Sequence, residues 1–206
     1  MDKRIIIAGI VLLLIAGGVL CRSQAPSFIR NAPPSKPTLV AFGDSLTFGT
    51  GGGQNGSYPS QLSVRLGREV INLGVPGDTT ESAIVRLDDV VMYDPGVVLI
   101  TLGGNDFKNG VESQVTFQNL EIIIGFLQAE GAMVILGGID LPFWGQDFTR
   151  GYQKTADKMG AVLVPNIYHG IMGEPALMAD RIHPNGRGYS KMADHFFKAL
   201  KPYLKQ

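Results

Sequence analysis

The stretch LVAFGDSLTFGTGGG, residues 39–53, decides how the rest of the chain is read. Leu39 to Phe42 form a short apolar run that stops at Gly43-Asp44-Ser45-Leu46 and passes into a glycine-rich loop. A run this short and this continuously apolar fits a strand covered on both faces, as in a parallel sheet. Its abrupt end puts a hydroxyl, that of Ser45, at the carboxyl edge of a strand. Open α/β sheets bind their ligands at that edge.

Four further runs resemble the first: Glu69–Leu73, Gly96–Leu102, Ala132–Gly137 and Ala161–Val164, with the first beginning at Thr38. Segments with helical spacing alternate with them: Ser57–Arg68, Thr80–Met92, Glu112–Glu130, Asp147–Met159 and a closing Gly188–Lys205. In the third of these, Leu120, Ile123, Ile124 and Leu127 fall on one face. Strand–helix alternation predicts a single α/β domain, a three-layer α/β/α sandwich around five parallel strands. No internal repeat and no second domain is visible.

The 206 residues suffice for one domain and a tail, and 45% hydrophobic against 17% charged residues describes a chain that folds around a core. Eighteen basic and 18 acidic side chains cancel, so the basic excess of a nucleic-acid binder is missing. One cysteine excludes an internal disulfide and a cysteine metal cluster. His169, His183 and His195 lack the spacing of a histidine metal motif. Neither a metal nor a cofactor is expected.

At the start, Lys3 and Arg4 precede an uncharged apolar run from Ile5 to Leu20, with Cys21 and Arg22 directly after it. Residues 1–22 therefore read as a signal sequence or membrane anchor, with the domain exported to the periplasm or the outer side of a bacterial membrane. Acylation of Cys21 is a further option, although Gly18-Val19-Leu20 is a poor match for the small residue expected before a lipidated cysteine. Residues 23–37, with Pro26, Pro33, Pro34 and Pro37, read as a proline-rich tether, and 38–206 as the domain.

The residues just past each strand test whether the carboxyl edge is a site. After the first comes Gly43-Asp44-Ser45-Leu46, after the second Gly74-Val75-Pro76-Gly77-Asp78-Thr79, and after the third Gly103-Gly104-Asn105-Asp106. The fifth leads, after an excursion, to Asp180-Arg181-Ile182-His183-Pro184. Serine attacks an acyl carbon when a base takes its proton, and histidine held by a carboxylate is the usual base. Asp180 and His183, three residues apart in a turn, have the spacing for that partnership. Gly77, without a Cβ, can bring its N–H close to a substrate oxygen, and the Asn105 amide donates without charge. Taken singly, each has a plainer reading: a turn glycine, an Asx-turn, a histidine at a helix start. Asp44, Asp78 and Asp106 read as structural, bonding loop backbone and helix N-termini.

Jointly, GDSL at 43–46, NLGVPGDT at 72–79, LGGND at 102–106 and DRIHPN at 180–185 resemble the four ordered signature blocks of the GDSL/SGNH hydrolase family. The likeness spans nearly the whole domain and is greatest to the bacterial thioesterase/lysophospholipase-type arylesterases. It implies a flavodoxin-like fold, Ser45 as nucleophile, and His183 with Asp180 completing a triad. It also implies an oxyanion hole from Ser45, Gly77 and Asn105. Acyl esters, thioesters and lysophospholipids are the substrates it implies, with no metal or cofactor. The α/β-hydrolase elbow GxSxG is excluded by Thr47, and a phosphate loop by the missing Lys-Ser/Thr after Gly49–Gly56.

In the loop after the fourth strand, Leu141-Pro142-Phe143-Trp144 and Phe148 are candidates to line an acyl groove, a role the resemblance also implies for that loop; packing of these aromatics against a helix is the alternative. An O-acetylesterase acting on cell-wall or polysaccharide sugars is the competing activity. A surface-anchored binding protein without turnover is the competing class.

Overall fold

The structure, a computed structural model, describes residues 28–140 and 146–204. The leader with Cys21, the first part of the tether, and the expected groove residues Leu141, Pro142, Phe143 and Trp144 lie outside the described residues; Phe148, the remaining one, is buried against Phe117 and Tyr152.

Five strands form one sheet: β1 Leu39–Gly43, β2 Val70–Gly74, β3 Val97–Thr101, β4 Met133–Gly137 and β5 Val162–Val164. Every pairing is parallel, in the order β2-β1-β3-β4-β5. All five residues of β1, β3 and β4 are buried, as their unbroken apolar runs require of central strands. The chain reverses its direction across the sheet at β1, between β2 and β3, which opens a crevice at the carboxyl ends of β1 and β3.

The helices are α1 Ser45–Phe48, α2 Tyr58–Leu66, α3 Thr80–Ile84, α4 Asp88–Val91, α5 Gly104–Lys108, α6 Ser113–Ala129, α7 Gln146–Met159 and α8 Gly186–Leu200. α2 packs with α8 on one side of the sheet, and α6 packs with α3 and α7 on the other. This is the three-layer sandwich expected. On the first side Tyr58 stacks on Phe196, ring centroids 4.7 Å apart. On the second, Phe148 and Tyr152 meet Phe117 at 5.2 Å, and Leu120, Ile123, Ile124 and Leu127 are all fully buried.

Three expectations are corrected. The segment Thr80–Met92 is two short helices, not one. Between them the Arg86 and Leu87 N–H groups donate three residues back, to Ala83 O and Ile84 O, and Leu87 and Val90 are buried. The last helix ends at Leu200 and continues as a 3₁₀ turn, Lys201–Tyr203, because Pro202 has no N–H to extend it. The stretch read as a tether is docked over its second part. Arg30 N–H donates to Gly160 O at 2.9 Å, and Asn31 Nδ2 donates to Gln128 O and Ala132 O at 2.8 and 3.0 Å. Ile29 and Ala32 pack on the core. Proline content signalled extension correctly, but apolar and amide side chains between the prolines find partners on the domain.

Candidate active site

Each candidate side chain is placed by the end of a strand. At the end of β1, Gly43 lies against β3: a Cβ there would stand 2.2 Å from Thr101 O. Only glycine lets the chain pass so close, and α1 then starts at once. Asp44 caps it, its Oδ1 accepting the Leu46 N–H at 2.9 Å. Ser45 is thus the first helical residue, and its N–H has no acceptor among the described residues.

Across the crevice, the turn before α8 carries Asp180 and His183. Asp180 Oδ1 accepts the N–H groups of Ile182 and His183, both at 2.7 Å, while Ala179 N–H donates back to His183 O at 2.8 Å. The free oxygen of Asp180, Oδ2, lies 2.7 Å from His183 Nδ1, and His183 Nε2 lies 3.0 Å from Ser45 Oγ. With Nδ1–H donating to the carboxylate, Nε2 presents its lone pair to the serine hydroxyl. The same backbone N–H of His183, then its ring and the N–H of Ile182, hold the Asp180 carboxyl down at about 2.

Gly77 sits third in the turn Val75–Asp78, closed by Asp78 N–H to Val75 O at 3.1 Å, with φ +91°. Pro76 before it and positive φ at Gly77 are the type II pattern. No acceptor for the Gly77 N–H is found among the described residues, and nothing lies within 4 Å of where a Cβ would stand. Asn105, in the first turn of α5, donates one Nδ2 hydrogen to Asp78 O at 2.8 Å. The two expected donors are therefore tied to one another through the residue after Gly77. Asn105 Nδ2 also stands 3.5 Å from Asp44 Oδ2.

The carboxylates read as structural have structural partners. Asp106 accepts Thr80 N–H at 2.9 Å and Thr80 Oγ1–H at 2.5 Å, joining α5 to α3. Asp44 is 3% exposed; burial, with smaller repulsion from Asp78 and Asp106, raises its carboxyl to about 7 against the pull of the Leu46 N–H. Asp78 pairs with Arg86, a residue sequence reasoning passed over. Arg86 also donates to Leu73 O and Gly43 O, both at 2.9 Å, and lies 4.2 Å from the Phe42 ring centre. In sequence it is one basic residue in a stretch that also carries Glu81, Asp88 and Asp89, which gives no sign of its partners.

A cavity of about 270 Å³ opens beside Ser45, Asn105 and His183. Leu46, Phe107, Ile139, Tyr168, Met172 and Ile182 make its walls largely apolar, and Tyr168 braces the turn of Asp180 and His183 by donating to Ile182 O at 2.9 Å. Gly77 stands outside this lining. None of these wall residues was expected to contact a ligand; they come from five separate segments, and apolar side chains give no sign in sequence of which cavity they will face.

Among curated proteins, the chain is 32% identical over 179 residues to "Esterase TesA" of Pseudomonas aeruginosa, covering 81% of this chain and 89% of the relative. It is 31% identical over 176 residues to "Thioesterase 1/protease 1/lysophospholipase L1" of Escherichia coli, covering 81% and 85%. Among solved structures it is similar to that of TesA, with TM-score 0.77, 32% identity and 82% and 100% coverage. It is also similar to the esterase EstA from Pseudoalteromonas inhibited by monoethylphosphonate, with TM-score 0.75, 27% identity and 83% and 100% coverage. The pattern of the GDSL-like lipase/acylhydrolase family matches residues 41–191, which include every residue placed around the crevice. The chain belongs to the GDSL-like lipase/acylhydrolase family.

Proposed function

We propose that this protein is a serine hydrolase that cleaves carboxylic esters and thioesters at Ser45. The observation that carries the reading is the continuous relay Asp180–His183–Ser45, at 2.7 and 3.0 Å, beside an apolar cavity. In the first step His183 Nε2 takes the Ser45 proton as Oγ attacks the acyl carbon. The imidazolium that forms is stabilised by the ionised Asp180. The Ser45 and Gly77 N–H groups and the second Asn105 Nδ2 hydrogen supply donors for the oxyanion, the first two having no other acceptor among the described residues. His183 then gives its proton to the leaving alcohol or thiol. Water, activated by the same base, attacks the acyl-serine and releases the acid.

The cavity supports a medium acyl chain over acetyl. At about 270 Å³ it lies just below the roughly 300–1,000 Å³ typical of ligand sites, and an acetyl group would still leave its apolar walls unfilled. Aryl esters, acyl thioesters and lysophospholipids share that acyl requirement, and the names of the similar proteins include esterase, thioesterase and lysophospholipase. The basic start and apolar run of the leader support action outside the cytoplasmic membrane, with the leader cleaved or kept as an anchor.

Fluorophosphonate labelling tests the activated serine: the wild-type protein takes the label, Ser45→Ala does not. Rates on p-nitrophenyl esters of increasing chain length should rise beyond acetate. A protein that resists the label is a binding module; one fastest on acetyl esters is an O-acetylesterase.

A further inference from the structure

Among the described residues that line this cavity, Lys108 is the one permanent cation. It ends α5 and lines the pocket together with Asn105, Phe107 and Ile182. It lies three residues after Asn105 on the same helix, so the two side chains project from one face with Cβ atoms about 5–6 Å apart. Its ammonium makes no ion pair or hydrogen bond among the described residues, unlike Lys36 and Lys158, which are held by Asp94 and Glu121. The other lining residues able to carry charge are already engaged. Asp44 is buried and accepts the Leu46 N–H, and His183 lies between Asp180 and Ser45. An otherwise apolar pocket therefore has an uncompensated positive charge at one wall, one helical turn from the Asn105 amide.

We propose that Lys108 is a specificity-determining residue that favours esters carrying an anionic group, a carboxylate or a phosphate, close to the scissile carbonyl. The inference rests on the esterase reading above. A lysine stem of four carbons lets the ammonium reach a group roughly four to six bonds from that carbonyl, on either the acyl or the alcohol side. An anion there gains a partner that water alone otherwise supplies. A neutral ester of the same length gains nothing from the charge. The gain stays modest because Lys108 is solvent-exposed; exposed pairs change an equilibrium by roughly two- to fivefold, and a partly desolvated pair by more.

Two substrate pairs separate the sources of the anion. p-Nitrophenyl hemiglutarate against p-nitrophenyl pentanoate puts the charge on the acyl side. Decanoyl lysophosphatidic acid against monodecanoylglycerol puts it on the alcohol side. In Lys108→Met the anionic-to-neutral ratio of kcat/KM should fall about three- to tenfold in at least one pair, through KM, and Lys108→Arg should restore it. Raising salt to about 0.5 M should erode the wild-type ratio and leave that of Lys108→Met unchanged. Ratios that stay within about twofold of wild type in both pairs overturn the proposal. So does an equal loss on all four substrates that Lys108→Arg fails to rescue, which marks a packing role. Absence of turnover on every substrate, with no labelling of Ser45, refutes the esterase reading itself and leaves a different signature from a changed ratio.

Discussion

Arg86 holds Asp78 through a doubled contact: its Nε donates to Oδ2 at 2.6 Å, and its Nη2 approaches the same oxygen at 2.5 Å. The remaining donors reach the carbonyls that end β1 and β2, so one guanidinium joins two strand ends to the turn bearing Gly77. The pair is largely buried, at 15% and 9% side-chain exposure. Removing one member of such a pair strands the other, at a cost of about 3–5 kcal/mol. Arg86→Ala should lose that much unfolding free energy in urea, and its kcat should fall more than about tenfold as the Gly77 turn loosens. Arg86→Lys should recover only part, since a compact ammonium cannot reach all the acceptors that the planar guanidinium fork spans.

Asn105→Ala should reduce kcat about 10²–10³-fold with little change in KM, because the amide is asked to act on the oxyanion and not on the resting ester. Single-turnover acylation of a p-nitrophenyl ester measures this directly. An unchanged kcat would remove Asn105 from the oxyanion site.

Asp180, held at about 2, stays ionised through mild acid. Ionisation of Asp180 should therefore add no step to the pH–rate profile above about pH 4. Asp180→Asn keeps the acceptor for the two turn N–H groups but removes the charge that stabilises the imidazolium. We expect a loss of about 10²-fold or more, smaller than that of Ser45→Ala, because Asp180 is 55% exposed and water takes over part of its role. A full pH–rate profile of both proteins decides it.

Asp44 works against stability at neutral pH. Its carboxyl is raised from 3.8 to about 7 in the fold, so the folded state keeps a proton that the unfolded chain releases between those values. Stability from this group is present below about pH 4, falls as pH rises through the window, and is fully lost above about 7. The whole effect is on the order of 4 kcal/mol. Asp44→Asn keeps the acceptor for the Leu46 N–H and cannot ionise. It should be more stable than wild type at pH 8, and the difference should shrink toward pH 4 in denaturant titrations.

Gly43→Ala tests why a glycine precedes the Asp-Ser pair. Its methyl would meet Thr101 O at 2.2 Å and Thr47 Oγ1 at 2.5 Å, contacts that force β1 and β3 apart. Destabilisation of at least about 1–3 kcal/mol should appear as a lowered melting temperature.

Much of this arrangement is legible in the sequence. Val97–Thr101 and Met133–Gly137 are buried on both faces, so their residues had to be continuously apolar, and that pattern survives in one dimension. Ser45, Gly77, Asn105 and His183 stand at strand ends or within signature blocks, and a loop residue's chemistry can be read without its neighbours. Arg86 cannot be read in this way. Its three acceptors lie on segments 8 to 43 residues away, two of them backbone carbonyls that any residue supplies. The cavity walls are hidden for the same reason, and so is the docking of Asn31 on carbonyls about 100 residues distant.

The chain's local chemistry by itself determined the alternation of strands and helices, the glycine and proline turns, and which polar groups could act at the sheet's carboxyl edge. Periodicity and turn preference act over a few residues, so they are written locally. Tertiary structure alone decided the strand order β2-β1-β3-β4-β5, the 3.0 Å approach of His183 to a serine 138 residues earlier, and the side chains that enclose the cavity beside Ser45. Those depend on which buried faces pack together, and a side chain's partner across a core is set by the whole sheet, not by its neighbours in the chain.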